Sequence, residues 1–329
     1  MNNAKYLRTC LRSIQEQQGA AFECVVVDDG STDNSVAIAE EFSTTDDRFS
    51  VVSHEHNRGP SAARNTGLAA SSAPFVTFLD ADDFLYENSL KSRVDALKEA
   101  DPKTVAGTYC DWQPTPQDQE PTPPERGPLS RPERLGFING PECPFIVTVP
   151  VVRREVLEQV GGFDEDAQTA EDFDLWLRVL REGYTFAYVR MIGVAYRQNS
   201  TGLVFSKSAA HAEASMALIE RQYEDVSAEA DAPFLSLPLP HYQLAGAKAE
   251  RLLRTYALAA ANGETADVDR IGKLLPVDLH SLERAGLYVD GALRGGVWRA
   301  ASALPELEAV ETRLQLVADL YAQLMGSAS

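Results

Sequence analysis

The stretch from residue 75 to residue 84 reads F-V-T-F-L-D-A-D-D-F and ends in three crowded carboxylates. Phe75, Val76, Phe78 and Leu79 form a short apolar run of the kind that makes a buried strand, and it stops at Asp80, Asp82 and Asp83. Carboxylates this close repel one another, and the usual compensation is a hard divalent cation held by oxygen ligands. In open α/β sheets ligands bind just beyond the carboxyl ends of the strands. The spacing therefore predicts a metal and diphosphate site. The competing reading is an acidic loop that caps a helix beginning near Glu87.

Three further groups carry chemistry. V-V-V-D-D-G-S-T-D at 25–33 puts Asp28 and Asp29 at a strand end, where a carboxylate can accept a hydrogen bond from a base N–H. The plainer role for both is to cap the helix after Gly30. N-R-G-P-S-A-A-R-N-T-G at 57–67 sets Arg64 and Asn65 in the first turns of a helix entered through Gly59-Pro60-Ser61. A helix N-terminus and an arginine both favour anions, so this helix is expected to face a nucleotide or its diphosphate. A surface salt bridge is the alternative for Arg64. A-E-D-F-D-L-W-L-R at 170–178 opens a helix with Glu171 and Asp172, a pair that the helix dipole stabilises in any case.

The elements that would position these residues alternate. Apolar spacing predicts a helix over 3–18, a strand over 22–27, a helix around 36–42, a strand over 49–53, a small-residue helix over 59–70 and the strand at 75–79. A helix at 87–100 and a strand at 104–110 follow. Strand–helix alternation with short connections implies a mostly parallel sheet flanked by helices, an α/β fold. Residues 113–144 are rich in proline and charge and read as a long loop. Beyond it come a strand at 145–149, a short helix at 153–160, the acidic helix bearing Trp176, and strands at 184–189 and 192–196. Helical patterns at 206–225, 241–262 and 305–325 make a helical C-terminal region over 205–329, set apart from a first domain over 1–204.

Composition narrows the function. The 329 residues are 44% hydrophobic and 8% aromatic, ordinary globular values. The formal net charge of -19 argues against a nucleic-acid partner, which needs basic surface. No run approaches the roughly 18 apolar residues of a membrane span and nothing resembles a signal peptide, which predicts a soluble, cytoplasmic protein. The four cysteines, Cys10, Cys24, Cys110 and Cys143, have no metal-type spacing and read as reduced thiols. His54 and His56, at the end of the 49–53 strand, read as a solvated pair.

Taken together and in this order, the four groups resemble the inverting nucleotide-sugar glycosyltransferases of family 2, which have the GT-A fold; the resemblance covers about residues 2–205. It implies transfer of a sugar from a nucleoside diphosphate donor, with a UDP-sugar first, to a hydroxyl acceptor in glycan or exopolysaccharide synthesis. Asp29 matches the residue that reads the donor base. Asp80-Ala81-Asp82 resembles the D-x-D motif: Asp82 would hold Mg or Mn, Asp80 would contact the ribose or share the metal, and small Ala81 would let backbone approach the sugar nucleotide. Asp83 would lie behind them or cap a helix. Glu171-Asp172 matches the E-D motif whose Asp is the catalytic base, and Trp176 would line the acceptor site or pack its helix.

Two segments depart from the family pattern. Relatives open with an apolar strand ending in Pro-x-Tyr-Asn just before the helix at Tyr6, whereas Met1-Asn2-Asn3 stands here. Such a strand would lie centrally in the sheet, so either the native start is upstream or the strand has been lost. Tyr196-Arg197-Gln198-Asn199 resembles a segment where many relatives place a His close to the metal, and Asn199 is a poor metal ligand. A binding module or scaffold with impaired turnover is therefore the alternative function. A nucleotidyltransferase would want a Gly- and Lys/Arg-rich loop in residues 1–20, and an oxidoreductase a G-x-G-x-x-G after a first strand; neither is present. A lipid-linked acceptor would imply a peripheral membrane contact, against which the acidic balance argues.

Overall fold

A computed structural model describes residues 1–198, apart from 125–126, 130–132, 137–145 and 168, together with a few positions between 213 and 221. The chain divides into two compact units, Met1–Gln198 and Asn199–Ser329. The helices expected at 241–262 and 305–325 lie outside the described residues, as does Asn199. Of 206–225 only 213–215, 217, 218 and 221 are described, all of them helical.

The first unit runs α1 (Ala4–Gln15), β1 (Cys24–Asp28), α2 (Ser35–Thr45), β2 (Phe49–Ser53), α3 (Pro60–Ala70), β3 (Phe75–Val76), β4 (Phe84–Leu85) and α4 (Ser89–Glu99). It continues with β5 (Val105–Pro116), β6 (Arg134–Leu135), β7 (Val151–Arg153), α5 (Arg154–Gln159), α6 (Glu171–Arg181) and β8 (Thr185–Gln198). The α/β class is as expected, and the sheet is mixed. The two long ladders, β1–β2 and β5–β8, are parallel and lie in different sheets, while β3–β7, β5–β7, β4–β8 and β6–β8 are short and antiparallel. β1 and β2 form a sheet of their own; the other strands follow the order β3-β7-β5-β8-β4, with β6 beside β8.

Several expected boundaries move, each for a local reason. The strand foreseen at 75–79 keeps only Phe75–Val76, because the chain then turns toward the carboxylates, where the Asp83 N–H bonds the Asp80 carbonyl at 3.0 Å. The strand foreseen at 145–149 is a turn over its described part, with the Val149 N–H on the Ile146 carbonyl; Pro150 follows, and pairing starts at Val151. The two strands foreseen at 184–189 and 192–196 are one, β8, and the strand foreseen at 104–110 extends to Pro116 inside the expected loop. Irregularities in the β5–β8 register near Tyr109 and Asp111 let one long pair of strands bend.

The main core lies between this sheet and α5 and α6. Trp176 is 1% exposed and meets Phe186 edge to face at 5.7 Å, with Leu157, Leu175 and Leu180 around them. A smaller core joins Leu7 and Leu11 of α1 to Phe42 of α2 and Phe49 of β2. Two neighbouring arginines, the first of them buried, close the backbone ends. Arg153 donates to the carbonyls of Leu97, Ala100 and Val105, and Arg154 to those of Leu68 and Ala73. Carbonyls at helix C-termini lack intrahelical donors, and a guanidinium satisfies several at once.

Candidate active site

Asp28 ends β1, Asp29 follows it, and the two divide the work. Asp28 Oδ2 accepts the Ser31 N–H at 3.0 Å, closing the turn in which Gly30 takes φ 75°. Asp29 reaches across to the segment entering α3, where its carboxylate accepts the N–H groups of Arg58 at 2.8 Å and Gly59 at 2.9 Å. His54 Nδ1 lies 2.7 Å from Asp29 Oδ1, and the other ring nitrogen lies 2.9 Å from Thr66 Oγ1. Burial alone would raise the Asp29 pKa, but these bonds hold it below the ordinary carboxylate value. Asp29 thus fixes the entrance of α3, whatever else it binds.

The histidine is a correction to the sequence reading. His56 is exposed, but the His54 side chain is 7% exposed, clasped between Asp29 and Thr66. Its position at a strand end beside an Asp-Asp pair was the only signal for this.

From α3, Arg64 and Asn65 point to different tasks. Arg64 Nη2 lies 2.9 Å from Asp80 Oδ1, and Nη1 lies 2.7 Å from Glu171 Oε1. The Asn65 amide instead holds the turn before α6, donating to the Phe163 carbonyl and accepting the Phe163 N–H, each at 2.9 Å. That turn also receives Arg178, which donates to the carbonyls of Val160 and Gly162.

The three carboxylates differ. Asp80 is 40% exposed at its side chain. Asp82 is pushed up to about 6, by burial first and then by Asp80. Asp83 is 2% exposed and its pKa is driven well up by burial, Asp80 and Asp82; it accepts the Arg197 N–H at 2.9 Å. It is therefore an internal anchor and not a helix cap. Ala81 packs against the α1–α2 core. Arg197, 4% exposed, also donates from Nε to the Asp82 carbonyl at 3.1 Å and stacks over the Tyr6 ring. The sequence analysis places the segment 196–199 near the metal but gives Arg197 no role; its burial behind the carboxylates is a finding of the fold.

Across from them, α6 begins at Glu171. Asp172 is pushed up to about 6, mainly by burial and by the neighbouring Glu171, against the pull of Arg64. Its Oδ2 accepts the Val147 N–H at 3.2 Å, so the 146–149 turn helps to orient it. Trp176 is wholly in the core. The fold thus joins Asp80, Arg64 and Glu171 in one chain of ion pairs, with Asp172 next to Glu171. Asp28 and Asp29 organise the neighbouring loops, and Asn65 and Trp176 serve packing.

The donors near Asp80 and Asp82 suit a hard cation, being carboxylate oxygens, with the Asp82 pKa raised by burial and then by Asp80. Among the described residues no three His, Cys, Asp or Glu side chains form a ready metal cage. Mg-type ions characteristically take one or two carboxylates and fill the remaining positions with phosphate oxygens and water, so this donor set fits one that arrives with a diphosphate.

Comparison with known proteins gives a consistent answer. Residues 1–161 match the model for Glycosyl transferase family 2, and residues 134–216 match that for Glycosyl transferase family group 2. The succinoglycan biosynthesis protein ExoU of Rhizobium meliloti (strain 1021) is 34% identical over 188 residues, 53% of each chain. The teichuronic acid biosynthesis glycosyltransferase TuaG of Bacillus subtilis (strain 168), named as putative, is 28% identical over 187 residues, 56% of this chain and 70% of its own. The chain thus spans about half the length of ExoU. Among solved structures, TarS 1-349 of S. aureus in complex with UDP superposes with a TM-score of 0.56 at 20% identity, covering 84% of this chain and 79% of its own. The mannosyltransferase PcManGT of Pyrobaculum calidifontis, in complex with GDP-Man and Mn2+, gives 0.56 at 21%, covering 98% and 84%. These likenesses share the GT-A fold, and the sequence match identifies residues 1–161 as a glycosyltransferase family 2 domain.

Proposed function

We propose that the protein transfers a sugar, with inversion, from a nucleoside diphosphate donor to a hydroxyl acceptor on a glycan or a lipid-linked glycan. One observation carries the reading: Asp172, half-buried at the start of α6 with its pKa pushed up to about 6, stands in the same carboxylate–arginine cluster as Asp80. A general base serves best when its pKa lies near the working pH. In the step, the acceptor O–H gives its proton to Asp172 while its oxygen bonds the anomeric carbon. The bond from that carbon to the diphosphate oxygen breaks, and its electron pair leaves with the diphosphate. Attack from the face opposite the leaving group inverts the centre.

Asp82 and Asp80 are the residues that would hold Mg or Mn between them and the diphosphate. A divalent ion so bound supplies Lewis-acid stabilisation of the leaving group. Asp29 and the α3 entrance that it fixes would receive the nucleoside. The solved neighbours bind UDP, UDP-GlcNAc and GDP-Man, which supports a nucleotide-sugar donor, with a UDP-sugar as the first to test. The names of ExoU and TuaG support a role in polysaccharide synthesis. Among the described residues no helix is long and apolar enough to cross a membrane. We place the reaction in the cytoplasm.

The test is calorimetric titration of UDP, GDP and TDP with and without Mn, repeated on Asp82→Ala. Metal-dependent binding of one nucleotide that vanishes in the variant is the expected result. A folded chain that binds none of the three would overturn the reading.

A further inference from the structure

Arg64 has both ends of its guanidinium engaged. Nη2 meets Asp80 and Nη1 meets Glu171, while the group also lies over the Phe163 ring, 5.4 Å from its centre. The side chain is 13% exposed and Glu171 is 14% exposed, so this is an interior pair. For Nη1 to reach a phosphate, Arg64 would have to release Glu171 and leave a largely enclosed carboxylate unpaired, which is unfavourable. Three elements converge on this cation: α3 through Arg64 itself, the loop after β3 through Asp80, and the first turn of α6 through Glu171. Asp172 is the next residue on that turn. Its carboxylate is held by the Val147 N–H and by the N–H of Phe173 at 2.8 Å, so its place depends on where α6 begins.

We infer that Arg64 is a positioning residue and not a phosphate ligand: it sets Asp172 against the donor-binding loop through the chain Asp80–Arg64–Glu171. The inference rests on the proposed function for the meaning of Asp172, but the linkage itself is a property of the three residues. A ligand that takes up the charge of Asp80 leaves Arg64 to Glu171 alone. Occupancy on the donor side is thereby felt at the start of the base helix.

Two measurements test this. Lys at position 64 keeps the charge but cannot bridge two carboxylates. With Mn present, Arg64→Lys and Glu171→Gln are expected to bind UDP within about threefold of the unaltered chain, while hydrolysis of a UDP-hexose falls about thirtyfold or more in each and hardly further in the double variant. An affinity loss of about tenfold or more in Arg64→Lys, with Glu171→Gln unaffected, would make Arg64 a phosphate ligand and overturn the inference. The second measurement needs no nucleotide. Hydrogen exchange at the Asp174 and Leu175 amides is expected to rise about tenfold in Asp80→Asn, a substitution at a partly exposed side chain that should leave the fold intact. Unchanged exchange there would equally overturn it. Should the unaltered chain bind no nucleotide, the proposed function fails, and the exchange result still decides the linkage.

Discussion

The side-chain amide of Asn65 and the backbone of Phe163 bond each other in both directions, Nδ2 to the carbonyl and N–H to Oδ1, each at 2.9 Å. An asparagine so used imitates a strand neighbour for a turn that has none. Asn65→Asp removes the donor and brings a negative charge toward Glu165, whose Oε1 is 3.0 Å from Nδ2. It should cost about 1–3 kcal/mol of stability in urea denaturation, while nucleotide affinity per folded molecule stays unchanged.

Turnover should follow the ionisation of Asp172. Its carboxyl must be deprotonated to accept a proton, so kcat should rise with pH through about 6 and level off above it. Asp172→Asn should lower kcat about a hundredfold or more and remove this rise. Donor hydrolysis followed from pH 5 to pH 8 reads both effects.

Asp82 should cost stability when it is ionised and no cation is bound. Its pKa is raised to about 6 from an ordinary 3.8, so the folded chain holds this proton more tightly than the unfolded chain does. The group's stabilising contribution is therefore complete below pH 3.8 and is lost as pH rises through about 6. In metal-free buffer, Asp82→Asn should match the unaltered chain near pH 4 and exceed it by about 1–2 kcal/mol at pH 7.5. Added Mn should close that gap by stabilising only the unaltered chain, and thermal unfolding at the two pH values measures it.

Gly30 leaves no room for a side chain. At φ 75° a Cβ would stand 2.9 Å from the Asn57 nitrogen and 3.0 Å from the His56 carbonyl carbon, both backbone atoms. Gly30→Ala should cost about 2 kcal/mol or more and push away the 56–59 segment that Asp29 holds. UDP affinity should then fall with stability, in contrast to Asn65→Asp; urea denaturation and calorimetry on the same preparation separate the two cases.

What was legible in the sequence depended on distance along the chain. Helical spacing in Tyr6, Leu7, Leu11 and Ile14 found α1, and V-V-V-D-D found β1, because periodicity is local. The two-residue β4 was missed because Phe84 and Leu85 follow three carboxylates and pair only with Val194 and Ala195, more than a hundred positions away. The carboxylates and Arg64 were recognisable by type. Their partners were not, since nothing local ties Arg64 to Glu171 or His54 to Asp29. Trp176 was ambiguous between acceptor site and core, and burial against Phe186 places it in the core.

The β5–β8 ladder has a kinetic consequence. It pairs Val105 with Thr185 and Pro116 with Gln198, so it closes only once the intervening chain, α5 and α6 included, is present. Pairings of such long separation are slow to form, because a large loop must close before any contact rewards it. β1, α2, β2 and α3 can associate through near neighbours, but the arrangement of Asp172 and Arg197 around the carboxylates must await the last strand of the unit. During synthesis the β1–α3 segment will stand exposed before α6 and β8 arrive, and refolding from denaturant should regain helix signal well ahead of ligand binding.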